Sequence, residues 1–191
     1  MDVAAIGVLH EILVSLDSGN NEGSTGKSNI DSGDRQRAYY KSNICTVITN
    51  VLKELGGQAL VAEKALTAVA YLCRYSDENK ASTCLENAKG FGLCGISDFV
   101  VGAIKLHKDN KSVFEAACDA VRSLCALESN RERLGASGAC EAIGRGLIPF
   151  SSDPIILGWI CRAIGHLANN NDANRELLAS SGACENIVNI L

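Results

Sequence analysis

The sequence predicts an all-α protein made of stacked helical repeats, and three observations carry that prediction. Residues 130–147, NRERLGASGACEAIGRGL, and residues 174–191, NRELLASSGACENIVNIL, agree at 11 of 18 positions without a gap and stand 44 residues apart. Self-similarity at a fixed period is the signature of a repeat array, in which each unit buries its apolar face against its neighbours. Other spacings keep the same period. Cys118 to Cys161 is 43 residues, Ser97 to Cys140 is 43 and Cys140 to Cys184 is 44. Cys73 to Cys125 and Cys45 to Ser97 are both 52, so two separate segments place the same extra residues between the first and second units. Composition points the same way. Apolar residues make up 47% of the 191-residue chain, aromatics only 5%, and there are two prolines, a balance that suits packed helices better than sheets.

Each element follows from its local pattern. Residues 1–17 place Val3, Ile6, Leu9, Ile12, Leu13 and Leu16 on one helical face and read as a leading helix belonging to a partial unit. Residues 18–33 are polar and glycine-containing and read as a flexible loop. A first repeat spans 34–80, a second 81–129 with an insertion at 82–94, a third 130–173 and a partial fourth 174–191. Within a unit the pattern gives three helices. The first is short and opens on Asp34, Asn79, Asn130 or Asn174, residue types whose side chains cap free backbone N–H groups. A glycine, or Asn43 in the first unit, then suits the left-handed conformation of a tight helix-to-helix turn. The second helix is amphipathic, as in Val47, Ile48, Val51, Leu52 and Leu55 before the Gly56-Gly57 stop. The third carries a stripe such as Val113, Phe114, Ala117, Cys118, Val121, Leu124 and Cys125, whose small members let neighbouring helices approach closely.

Several function classes drop out at this level. The net charge of −4 argues against a nucleic-acid or anionic-membrane surface. No apolar stretch approaches the ~20 residues of a membrane span, so no integral membrane insertion is expected. The start MDVAAIG lacks a basic leader, which places the protein in a reducing compartment, cytoplasmic and/or nuclear. Nine cysteines without a C-x-x-C pair read as small buried hydrophobes rather than disulfides or zinc ligands. His10, His107 and His166 are far apart, and neither catalytic residues, a metal site nor a cofactor site is expected. GSTGKS at 23–28 resembles the end of a phosphate-binding loop, the remote alternative of a nucleotide-binding protein. A P-loop needs a buried strand before it and a helix after it; Asn21 stands where its first glycine should be, an amphipathic helix precedes it and NIDSGD follows. GSTGKS therefore reads as linker.

Units near 43 residues with three helices, carrying NRERLGASGACEAI and ACDAVRSLC, resemble armadillo repeats, as in importin-α and β-catenin. The resemblance covers roughly residues 34–191 and implies a right-handed α-solenoid with about three full units and partial units at both ends. It further implies a protein–protein interaction or scaffolding module whose third helices line a concave groove for an extended peptide or partner protein. Carried onto this sequence, the groove positions are Thr67 and Tyr71, Asp119 and Ser123, and Arg162 and His166, with Glu63 and Glu115 one turn earlier. The Trp–Asn pairs by which importin-α holds nuclear-signal peptides are absent from these positions, and Trp159 falls outside them as a packing residue. Glu63, Glu115 and Asp119 give the first two units an acidic face, whereas Arg162 and His166 make the third basic. Ile187, Val188, Ile190 and Leu191 have no third helix of their own unit to cover them. The alternative function is therefore a non-catalytic part of a longer solenoid, associating through its open ends, with self-association through the C-terminal helix.

Overall fold

The computed structural model describes residues 43–74 and 81–190, and every regular element within them is a helix. α1 spans Ile44–Leu55 and α2 Ala59–Cys73; α3 spans Ala81–Leu93, α4 Ile96–Leu106 and α5 Lys111–Leu124. α6 spans Glu128–Ala136, α7 Ala139–Arg145 and α8 Pro154–Ala168, followed by α9, Asp172–Ser180, and α10, Ala183–Ile190. None of these helices is long and apolar enough to cross a membrane. The leading helix read over 1–17, the loop over 18–33 with GSTGKS, and the helix starts at Asp34 and Asn79 lie outside the described residues.

Helices in matching sequence positions pack on one another in succession. α2 lies against α5 and α5 against α8; α3 contacts α6 and α6 contacts α9; α1, α4, α7 and α10 form a third succession. The α2–α5 pair makes the most extensive contact of all. Both helices are rich in fully buried small residues, with Ala62, Ala65 and Ala68 in α2 and Ala117, Cys118 and Ala120 in α5, so the two backbones can come close. Larger side chains fill the remaining space. Leu66, Leu72, Phe114 and Leu124 are fully buried, each stabilising the fold by about 1.5–3 kcal/mol relative to exposure.

The turns between first and second helices have the conformation the sequence requires. Gly95, Gly138 and Gly182 have φ of 73°, 88° and 76°, and Asn43 holds the same place at 58°. Glycine enters this left-handed region without steric cost, and asparagine is among the few other residues that visit it routinely. Side-chain caps fix the starts of α5 and α8, whereas Gln58 before α2 makes no such bond. Asn110 accepts from the Val113 N–H at 3.1 Å, and Asp153 accepts from Ile155 and Ile156 at 3.1 and 3.2 Å, with Pro154 opening α8. Lys111 reaches Asp153 and ties the first turn of α5 to the α8 cap.

Two readings of the first helices are corrected here. Asn130 and Asn174 do not cap; they lie inside α6 and α9 and are 1% and 2% exposed. The α9 cap is Asn171, which accepts from the Asn174 N–H at 2.9 Å. The side chain of Asn130 instead donates to the carbonyls of Ala88 at 2.8 Å and Leu124 at 3.1 Å. That of Asn174 donates to Arg131 and Leu167, both at 3.0 Å, and Asn87 donates to Leu72 at 2.9 Å. Each asparagine therefore closes the C-terminal turn of the preceding third helix, where carbonyls lack intrahelical partners. This approach needs glycine opposite. A Cβ on Gly92 would stand 2.1 Å from Asn130 Oδ1, and one on Gly135 would stand 1.8 Å from Asn174 Oδ1.

The second correction concerns the insertion at 82–94. Residues 82–93 are continuous helix, and Asn87 takes the place that Asn130 and Asn174 hold later. Asn87 lies 15 residues beyond its carbonyl partner Leu72, against 6 for Asn130 and Leu124 and 7 for Asn174 and Leu167. The extra residues thus precede Asn87 instead of following it.

Cysteine burial follows position in the stack. Cys45, Cys73, Cys84, Cys118, Cys125 and Cys140 are buried, Cys94 is half-buried, and Cys161 and Cys184 are exposed. Cys161 aligns with Cys118 in sequence yet does not share its burial. Among the described residues no further third helix lies against the outer side of α8.

Candidate partner-binding groove

The residues assigned to the groove sit on α2, α5 and α8, but their surroundings differ from what a plain ladder would give. On α2, the Glu63 carboxylate pairs with Lys64 at 2.8 Å, and the exposed Thr67 hydroxyl donates to the Glu63 carbonyl of its own helix. Tyr71 is half-buried and packs against the apolar core. On α5, Glu115 is half-buried and Ser123 is buried. On α8, Arg162 and His166 are exposed.

Asp119 departs most from the expectation of an acidic face. It is 9% exposed and is held from two sides. Arg74, the residue that ends α2, donates to one carboxylate oxygen at 2.6 Å. Arg122, one turn further along α5, donates to the other through Nε at 3.0 Å and Nη2 at 2.7 Å. Charge-assisted bonds of this kind are short and orient both partners. Asp119 is therefore a buried clasp between two guanidinium groups, and with Glu63 also paired, the acidic face expected for the first two units is corrected.

Arg74 and Arg122 join Trp159, Arg162 and His166 in lining one open cleft of about 480 Å³. Three guanidinium groups face it, and among the described residues the carboxylate paired with them is that of Asp119, which holds Arg74 and Arg122. The Arg162 guanidinium lies 5.5 Å from the centre of the Trp159 ring, within cation–π range, so Trp159 is more than the interhelical packing residue the sequence suggested. His166 has its pKa lowered, first by desolvation within the cleft and then by the positive charges of Arg122 and Arg131. It is therefore neutral near pH 7.

Comparisons with protein-family models, curated proteins and solved structures find no match to the chain. The cleft stands on its own geometry.

Sequence reasoning found Asp119, Arg162 and His166 but missed Arg74 and Arg122. The two arginines occupy different registers of their helices, so no repeated slot marks them. The signal available was the Asp119–Arg122 spacing of three, which places opposite charges on one helix face.

Proposed function

We propose that this chain is an armadillo-type solenoid whose function is to bind an extended segment of a partner protein along the face of α2, α5 and α8. One observation carries the reading: side chains from three successive third helices converge on a single open cleft, which includes two of the assigned groove residues. Thr67 on α2 and Gly158 on α8 are accessible: Thr67 is exposed, and a Cβ added at Gly158 would meet nothing within 4 Å. A rigid helical scaffold presenting side chains at intervals along a groove suits an extended chain, because main-chain and side-chain contacts repeat with the units.

The test is site-specific photo-crosslinking. A photoreactive residue at Thr67 or Gly158 should capture a partner segment from a cell extract, whereas the same residue at exposed Lys53 on α1 should not. Equal capture from Lys53 and from the groove would remove the reading. A second reading, self-association through α10, is favoured by the exposure of Cys161 and of Val188, the latter 72% exposed. Sedimentation showing a concentration-dependent dimer that Val188→Lys dissolves would support it; a monomer at all concentrations would exclude it.

A further inference from the structure

We infer that the cleft between α2, α5 and α8 is an anion site that takes a phosphorylated side chain, or a close pair of carboxylates, from an acidic segment of the partner. The inference rests on the groove reading above and adds the chemistry of the ligand.

The first argument is charge. Although the chain carries a net charge of −4, the cleft gathers Arg74, Arg122 and Arg162 from three helices. Among the described residues Asp119 alone pairs with them, which leaves two positive charges in excess across the cleft. Arginine forks match carboxylate and phosphate oxygens two at a time, which a lone lysine cannot do.

The second argument is preorganisation. Arg74 and Arg122 are each fixed by Asp119 through only part of their donor set, at 2.6 Å from Arg74 Nη2 and at 3.0 and 2.7 Å from Arg122. A guanidinium has five N–H donors, so both retain donors after bonding the carboxylate. A fixed donor loses less conformational freedom when a ligand arrives. Arg162 makes no ion pair among the described residues and rests on Trp159, an indole that can also pack against the carbon stem of a bound side chain. A purely structural role would leave Arg162 without a reason to share the cleft, since Asp119 is already met twice.

The third argument is extent. The arginines form one compact cluster and not a stripe along the array, which fits a single anionic group better than a polyanionic backbone. A nucleic acid would need a longer basic track.

The experiment uses the full chain, octauridylate and four eight-residue peptides. These are octaglutamate, a glycine–serine peptide with one central phosphoserine, its unphosphorylated form, and octalysine. Trp159 is the only tryptophan in the chain, so its emission reports the cleft directly, while anisotropy of the labelled peptides gives affinity. The phosphopeptide and octaglutamate should bind saturably and shift Trp159 emission, the unphosphorylated peptide and octalysine should not, and added salt should weaken binding. Preference between the two binding probes assigns the phosphate or the carboxylate source. Arg162→Gln should weaken binding about tenfold, whereas Lys108→Gln, the same change of charge on exposed Lys108, should leave it unchanged. Arg162→Lys, which keeps the charge without the fork, should recover only part of the loss.

Octalysine binding in place of octaglutamate would overturn the anion chemistry. So would octauridylate binding more tightly than either acidic probe, or equal losses from Arg162→Gln and Lys108→Gln. If groove crosslinks capture a partner while no acidic probe binds, the inference falls and the groove reading stands; if the groove captures nothing, both fall.

Discussion

Replacing Asn130 by Ala should destabilise the protein by about 1–3 kcal/mol, although the residue does not line the cleft. Its side-chain amide makes two buried hydrogen bonds, to Ala88 and Leu124, each worth roughly 0.5–1.5 kcal/mol net. The Leu124 carbonyl keeps a second partner, the Leu127 N–H at 3.3 Å, so the full penalty of an orphaned acceptor is not added there. Gly92→Ala attacks the same contact from the other side. The new methyl would stand 2.1 Å from Asn130 Oδ1 and would force the asparagine out, while removing a helical glycine returns up to about 1 kcal/mol. Gly92→Ala alone should therefore cost about 1–2 kcal/mol. In an Asn130→Ala background the obstruction is gone, and Gly92→Ala should become neutral or stabilising. The sign of one substitution reverses with the identity of its neighbour, a coupling near 2 kcal/mol. Urea denaturation followed by far-UV ellipticity measures all four corners, with exposed Asn50→Ala as a control expected within about 0.5 kcal/mol. Additive costs, or an Asn130→Ala penalty below about 0.5 kcal/mol, would refute the reasoning.

Alkylation at pH 8 with mass-spectrometric mapping should modify Cys161 and Cys184 long before the buried cysteines; burial pushes the thiols of Cys45 and Cys125 to about 12 and that of Cys140 to about 11, and rapid labelling of any of these would contradict their placement. Cys118→Asp should cost at least about 3 kcal/mol by burying an unpaired carboxylate, whereas Cys161→Asp should cost less than about 1; similar losses in thermal melts would refute the difference in burial. The lowered pKa of His166 means that the unfolded chain takes up its proton first as pH falls through the ordinary imidazole range. Stability should decline there and be fully present above it, and His166→Gln should flatten that part of the profile; an unchanged slope would exclude the assignment.

The features legible in the sequence are those with a local cause. Gly95, Gly138 and Gly182 could be placed because a left-handed turn leaves few choices of residue. The stripe from Val113 to Cys125 could be placed because burial of one helix face repeats at helical spacing. Asn130 and Asn174 were seen but given the wrong task, since a capping asparagine and a bridging one look alike until the donor's distant partner is known. The weak copy was matched at Asn79 because the extra residues before Asn87 hid the correct register. Asp119 was read as an exposed acid because a helix-face pattern cannot show that Arg74, 45 residues earlier, folds onto it. Cys161 was read as buried because alignment with Cys118 assumes a neighbour on both sides of α8.

The asparagine bridges give folding a direction in time. The last turn of α5 is closed by Asn130 of α6, and that of α8 by Asn174 of α9, so each of these helices leaves the ribosome with an unfinished end until the following helix emerges. Asn130 follows Leu124 by 6 residues and Asn174 follows Leu167 by 7, a delay of roughly 0.3–1.4 s at ordinary elongation rates. Newly made chains should therefore gain mechanical resistance six or seven residues later than the ends of α5 and α8 alone would suggest. A nascent-chain force profile should show that lag for the normal sequence and lose it with Asn174→Ala; identical profiles would show that closure of the helix ends does not set the timing.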